Sequence, residues 1–138
     1  MRRVVITGAG ITSCLGNTLD DVAESLWLGR SGIRAFPEFV EAGLRSHIAG
    51  VVTADPDGRI DRRLRRFMGD AAAHAHVALA DAIAHARLPE AIVSSPRTGL
   101  IMGSGGGSPF HQVEAADTLR SRGVRRIGPY QVTRTMGS

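Results

Sequence analysis

VVITGAGITSCLG, residues 4–16, carries an apolar, β-branched run into two glycines and then reaches the chain's single cysteine. Val, Ile and Thr are stiff at χ1 and suit extended backbone, so residues 3–7 predict a strand. Its poor alternation of apolar and polar residues predicts burial on both faces. Beyond the glycines, Asn17 or Thr18 is placed to cap a helix over 19–28, accepting from the orphan N–H groups of its first turn. Asp20, Asp21 and Glu24 stand where the helix dipole favours acids, and Gly29 predicts the stop. Val22, Ala23, Leu26 and Trp27 form the predicted inward face. Strand, glycine turn and helix make an α/β opening.

Further along, residues 30–60 read as irregular, with scattered glycines and prolines and a short strand at 47–53. One long helix is predicted from Asp61 to Ala86. Its apolar face is Leu64, Phe67, Met68, Ala71, Ala75, Leu79, Ala82 and Ile83, at three- and four-residue spacing. Pro96 precedes a second buried strand, TGLIMGSG at 98–105, and another helix is predicted at 110–121. This order implies an α/β fold with a parallel sheet. A last helix begins around Val132, and the chain stops before it packs, as in a domain whose final element is missing.

The bulk properties bound the function. A chain of 138 residues suits one domain or a piece of a larger one. With 43% hydrophobic but only 4% aromatic residues, the core must be filled by Ala, Val, Ile and Leu. No stretch approaches the roughly 20 apolar residues that span a bilayer. MRRVVITGAG lacks the long apolar region of a signal peptide, and one cysteine makes no internal disulfide. A cytoplasmic, non-membrane protein is therefore expected. The net charge is +4, and all 17 basic residues are arginine. Arg59, Arg62, Arg63, Arg65 and Arg66 crowd together, and Arg120, Arg122, Arg125 and Arg126 form a second group. Clustered arginine attracts phosphate, nucleic acid or an acidic protein surface, or else forms a solvated helix face.

Three motifs suggest chemistry, and each departs from what that chemistry needs. A dinucleotide fingerprint requires Gly or Ala three residues after its second glycine, where the helix packs on the strand; Ser13 stands there. No strand ends on an acid in LWLGRSGIRAFPEF, where the ribose ligand belongs. GSGGGSP at 103–109 lacks the lysine of a phosphate loop, and the chain has no lysine at all. It still provides a sharply turning backbone that something can approach closely. Cys14 as a nucleophile needs a base or a helix N-terminus beside it. His74 and His76, two residues apart on a helix, diverge, and His47, His85 and His111 are scattered. Cys14 reads as a packed side chain, and no metal site is expected.

Six segments together resemble the β-ketoacyl-acyl-carrier-protein synthases, on their type I branch. They are VVITGAGITSCLGN at 4–17, GRSGI at 29–33, GLRSHIAG at 43–50, IDRRLRRFMGDA at 60–71, PRTGLIMGSGGGSP at 96–109 and GPYQVTRTM at 128–136. They follow in order over the whole chain, and the segments at 60–71 and 103–109 are characteristic of that branch. The resemblance implies a thiolase-like α/β fold, with a mixed sheet and packed helices. Residues 1–138 would be the N-terminal part of its first half, truncated before the catalytic cysteine.

The activity so implied is decarboxylating Claisen condensation of malonyl-carrier protein with an acyl thioester, in fatty acid biosynthesis. No catalytic residue of the family falls within this chain, so alone it is expected to be inactive and to fold poorly. No metal or organic cofactor is implied beyond the phosphopantetheine carried by the acyl-carrier protein. That acidic carrier is the implied partner of Arg62, Arg63 and Arg66, with Arg45, Arg122 and Arg125 next. Gly106, Gly107, Gln112 and Met136 match positions at the acyl pocket or the interface of a homodimer. His111 departs from the aromatic or apolar residue expected beside Gln112. Neither nucleic acid nor membrane is an expected partner. A polyketide ketosynthase and a non-catalytic interaction module are the alternatives.

Overall fold

A computed structural model describes residues 3–136. Its elements in order are α1 (Leu19–Trp27), β1 (Ile33–Ala35), α2 (Pro37–Glu41), β2 (Ile48–Gly50), α3 (Arg62–Arg65), α4 (Asp70–His85), α5 (Glu90–Val93), α6 (Pro109–Arg122) and α7 (Gln131–Thr135). They form two compact units. One comprises residues up to Asp55 with Ala78–Leu88, the other Pro56–Val77 with Pro89 onward.

In the first unit the predicted helix at 19–28 forms as α1, and the capping group is Thr18, whose Oγ1 accepts from the Asp21 N–H. Gly29 ends it at φ +63°, a conformation that glycine adopts without a Cβ clash. Val22 and Ser25 are buried, and the Ser25 hydroxyl donates to the Leu15 carbonyl at 2.9 Å, which ties α1 to the turn before it. The predicted inward positions Leu26 and Trp27 face solvent instead; Trp27 is 90% exposed. The strand read at 47–53 is shorter, β2, and pairs antiparallel with β1 from Ile33↔Gly50 to Ala35↔Ile48.

Residues 3–7 and 98–105 are not strands here, and Val4, Ile6 and Ile101 lie almost fully exposed. Strand propensity acts through cross-strand and facing neighbours. Among the described residues no chain pairs with either segment, so their β-branched side chains stay on the surface. The sheet is accordingly two-stranded and antiparallel rather than parallel.

The glycines of the opening motif have another role. A Cβ at Gly10 would collide with the Ala78 carbonyl, and one at Gly8 would lie 2.5 Å from the Ala82 carbonyl and 2.7 Å from the Ala86 Cβ. Backbone thus lies directly on the alanine face of α4, and the Ala9 N–H donates to His85 Nδ1 at 3.1 Å. Cys14 is half-buried against backbone: a Cβ at Gly32 would stand 2.7 Å from its Sγ, and one at Gly50 3.0 Å.

The long helix predicted for 61–86 is broken into α3, which belongs to the second unit, and α4, whose residues up to Val77 belong to the second unit and the rest to the first. The break falls at Gly69, which is buried and where a Cβ would stand 2.7 Å from the Arg134 carbonyl oxygen. Helix α4 restarts with its own phase. Its buried residues are Ala73 and Val77, not the predicted Ala71, Ala75 and Leu79 face. Ala73, Val77 and Ile60 make the second unit's core, with Met68 packed against it. The helix predicted at 110–121 forms as α6, and the one beginning near Val132 is the short α7.

Gly10→Val drives a branched side chain into the α4 backbone. In the intact protein it should lower unfolding free energy by about 1–3 kcal/mol, read by urea titration. Ile11→Val, which removes one methylene next to it, should cost no more than about 1.5 kcal/mol.

Candidate functional site

The arginine run lies on α3, a helix of four residues started by Asp61, whose carboxylate accepts from the Arg63 N–H at 2.6 Å. So short a helix does not hold itself together in water. Arg65 anchors it. Its Nε donates to Asp57, its Nη2 to Asp70 at 3.0 Å, and its Nη1 to the Met68 carbonyl at 2.7 Å. The guanidinium is therefore held above the ordinary arginine range, chiefly by the hydrogen bond to Asp57.

Arg62, Arg63 and Arg66 are exposed, and among the described residues no carboxylate pairs with them. The acids beside the run thus neutralise Arg65 and leave three cations facing solvent. Arg66 differs from the other two. Its guanidinium lies 5.1 Å from the Phe67 ring centroid and 4.9 Å from that of Tyr130, the two rings meeting edge to face at 4.8 Å. Arg134 Nε donates to the Arg66 carbonyl at 3.0 Å.

The second arginine group is divided in a similar way. Arg120 pairs with Asp117 at 3.2 Å, and Arg126 lines a shallow polar cleft of about 200 Å³ with Glu114, Thr118 and Gln131. Arg122, the last residue of α6, and Arg125, in the 3-10 turn Val124–Arg126, are exposed. Arg45 is exposed in the first unit, between α2 and β2.

Of the glycine run, Gly106 is open to solvent, with nothing within 4 Å of a Cβ placed there. Gly107 is closely packed: a Cβ would strike the Thr135 carbonyl and lie 2.9 Å from Gln112 Nε2. Gly107 and Gln112 therefore meet the end of α7, where Met136 follows, 53% exposed. His111 is buried; its Nδ1 shares a 2.8 Å hydrogen bond with the Ser108 hydroxyl, and its carbonyl accepts from Gln131 Nε2 at 2.9 Å. That pair joins the N-cap residue of α6 to the third residue of the helix, the spacing of a capping box. Sequence reading missed Tyr130 and Arg134, because only the fold brings them to Arg66 from more than sixty residues away.

Residues 1–138 match the family model of the β-ketoacyl synthase N-terminal domain. The chain is 52% identical to 3-oxoacyl-[acyl-carrier-protein] synthase 1 of Haemophilus influenzae and 51% identical to that of Escherichia coli K12, all of it being covered in both cases. In structure it resembles a β-ketoacyl synthase from Burkholderia phymatum, with a TM-score of 0.83 at 27% identity, over 99% of this chain and 34% of that one. The chain therefore belongs to the β-ketoacyl synthase family, and its fold is the N-terminal part of that thiolase-like α/β fold. It spans about a third of the length of the relatives it matches (34%).

The division of arginines predicts two kinds of mutant. Arg65→Lys cannot make all three contacts at once and should cost about 1 kcal/mol of stability, a value kept low by the exposure of both aspartates. Arg62→Ala and Arg63→Ala should change stability by less than about 0.5 kcal/mol. Chemical denaturation of the three variants side by side checks the contrast.

Proposed function

We propose that this chain is the N-terminal region of a 3-oxoacyl-acyl-carrier-protein synthase of fatty acid biosynthesis. Identity of 51–52% to synthases 1 over the entire chain carries the reading. The reaction is a decarboxylating Claisen condensation. A cysteine thiolate attacks the acyl thioester and releases the carrier's thiol. Malonyl-carrier protein then loses carbon dioxide, and the resulting carbanion attacks the acyl-enzyme and expels the thiolate. The product is a 3-oxoacyl chain two carbons longer. In this reading the catalytic residues lie outside residues 1–138, and Cys14 is not the nucleophile. The acyl groups arrive on the carrier's phosphopantetheine, and no metal or resident organic cofactor is needed.

Within this chain, Arg62, Arg63 and Arg66 dock the acidic carrier, with Arg45, Arg122 and Arg125 supporting them. Exposed cations with no carboxylate paired to them among the described residues support this assignment, since they attract an acidic surface with no ion pair to break first. Gly106, Gly107, Gln112 and Met136 belong to the acyl pocket or to the interface of a cytoplasmic homodimer. The closeness of Gly107, Gln112 and Thr135 supports placing them in one region. Among the described residues no helix is long and apolar enough to cross a membrane.

In a full-length synthase carrying this chain, Arg63→Glu with Arg66→Glu should raise the KM for acyl-carrier protein about tenfold or more, with kcat little changed. Steady-state kinetics with the carrier decides it, and an unchanged KM removes the docking assignment. The 138-residue chain alone should release no carbon dioxide from malonyl-carrier protein, and measurable turnover would overturn the placement of the catalytic residues.

A further inference from the structure

Arg66, the residue that caps the end of α3, is the only one of the three exposed arginines 62, 63 and 66 that lies over aromatic rings among the described residues. Its side chain carries several rotatable bonds, and a free arginine loses that freedom when a partner binds. Here the guanidinium already lies over two ring faces, 5.1 Å from Phe67 and 4.9 Å from Tyr130. Phe67 is the next residue in the chain and would accompany Arg66 in any conformation. Tyr130 comes from the segment leading into α7, and its ring stands edge to face on Phe67. The backbone is fastened at the same place by Arg134 Nε on the Arg66 carbonyl. Arg66 nevertheless stays exposed, and no carboxylate pairs with it among the described residues.

We infer that Tyr130 is a positioning residue for the carrier: it holds Arg66 on its ring face, so that the cation meets the acidic partner already oriented. The inference rests on the docking role proposed for Arg66. Tyr130 touches neither reacting atoms nor the carrier, so its effect must pass through Arg66 and appear in carrier recognition alone. The phenolic hydroxyl is not needed, because the ring face does the work. Lysine at 66 would keep the charge but lose the planar fork of donors that pairs with a carboxylate through two bonds.

The test uses the full-length synthase with two substrates, an acyl-carrier protein and an acyl-pantetheine thioester that has no carrier protein attached. Tyr130→Ala should raise the KM for acyl-carrier protein about 2- to 5-fold, the range expected for one exposed cation–π contact, with kcat within about twofold. The KM for the small thioester should not move, and Tyr130→Phe should behave as the parent. Combined with Arg66→Ala, Tyr130→Ala should add no further increase, because the residue it positions is gone. Tyr130→Leu, which keeps apolar packing on Phe67 without a π face, should act like the alanine variant and serves if that variant folds poorly.

Three outcomes overturn the inference. If Arg66→Glu raises the carrier KM while Tyr130→Ala and Tyr130→Leu leave it unchanged, the positioning role fails and docking stands. If the Tyr130 effect persists in the Arg66→Ala background, or extends to the small thioester, the ring acts through general structure. If Arg66→Glu itself is silent, the docking reading falls and takes the positioning role with it.

Discussion

The structure depends on how closely backbone can approach α4. Alanines at 78, 82 and 86 present a surface with no side chain beyond Cβ, and Gly8 and Gly10 bring a segment with none at all against it. Any larger residue on either side would separate the two, and the Ala9–His85 hydrogen bond could not span the gap. The earlier part of the same helix works by the same economy of volume: Ala73 is fully buried, and with Val77 it meets Ile60 and Met68. A chain with 4% aromatic residues must reach native density in this way, by bringing elements close rather than by filling space between them. This also explains why VVITGAGITSCLG looks like a dinucleotide motif. Both arrangements need glycine for close approach, one to a pyrophosphate and the other to a helix.

Charge is divided as strictly as volume. Five arginines between positions 59 and 66 would repel one another if all were left unpaired, yet a cationic face is what an acidic partner requires. Asp57 and Asp70 resolve this by converging on Arg65, which becomes an anchor. An arginine is needed there because its planar fork reaches two carboxylates and a carbonyl at once. The residues on either side, Arg63 and Arg66, stay exposed with no carboxylate paired to them among the described residues.

What was legible in the sequence follows from the range of the forces involved. Helix α1 carries local signals in its Thr18 cap and Gly29 stop, and both α1 and α6 formed close to the predicted bounds. The strands at 3–7 and 98–105 had only propensity behind them, and propensity needs a neighbouring strand that the described residues do not include. The break at Gly69 was hidden for a similar reason: a glycine within a helical pattern is ambiguous until the Arg134 backbone is seen passing over it. At the site, the arginine run and the family it belongs to were readable as motifs. Which arginine is an anchor was not, because Asp57 and Asp70 flank the run symmetrically. Tyr130 and Arg134 lie too far along the chain for any spacing rule to connect them to Arg66.

Three exposed arginines sit on, or directly after, a helix of four residues. One turn has almost no helical stability of its own, so α3 cannot present its cations rigidly by virtue of being helical. Its orientation is imposed from outside, by the Asp61 cap at its start, by Arg65 bound to Asp57 and Asp70, and by Arg134 on the Arg66 carbonyl at its end. Each of these holds backbone or a neighbouring side chain and leaves the charges of Arg62, Arg63 and Arg66 exposed. Because α3 is fixed by near contacts from 57 and 70 and by a long-range one from 134, a perturbation of α7 or its lead-in reaches the arginine face without touching it. The placement of the Arg66 backbone is therefore coupled to the packing of the 128–136 segment, the same segment whose Thr135 carbonyl lies against Gly107.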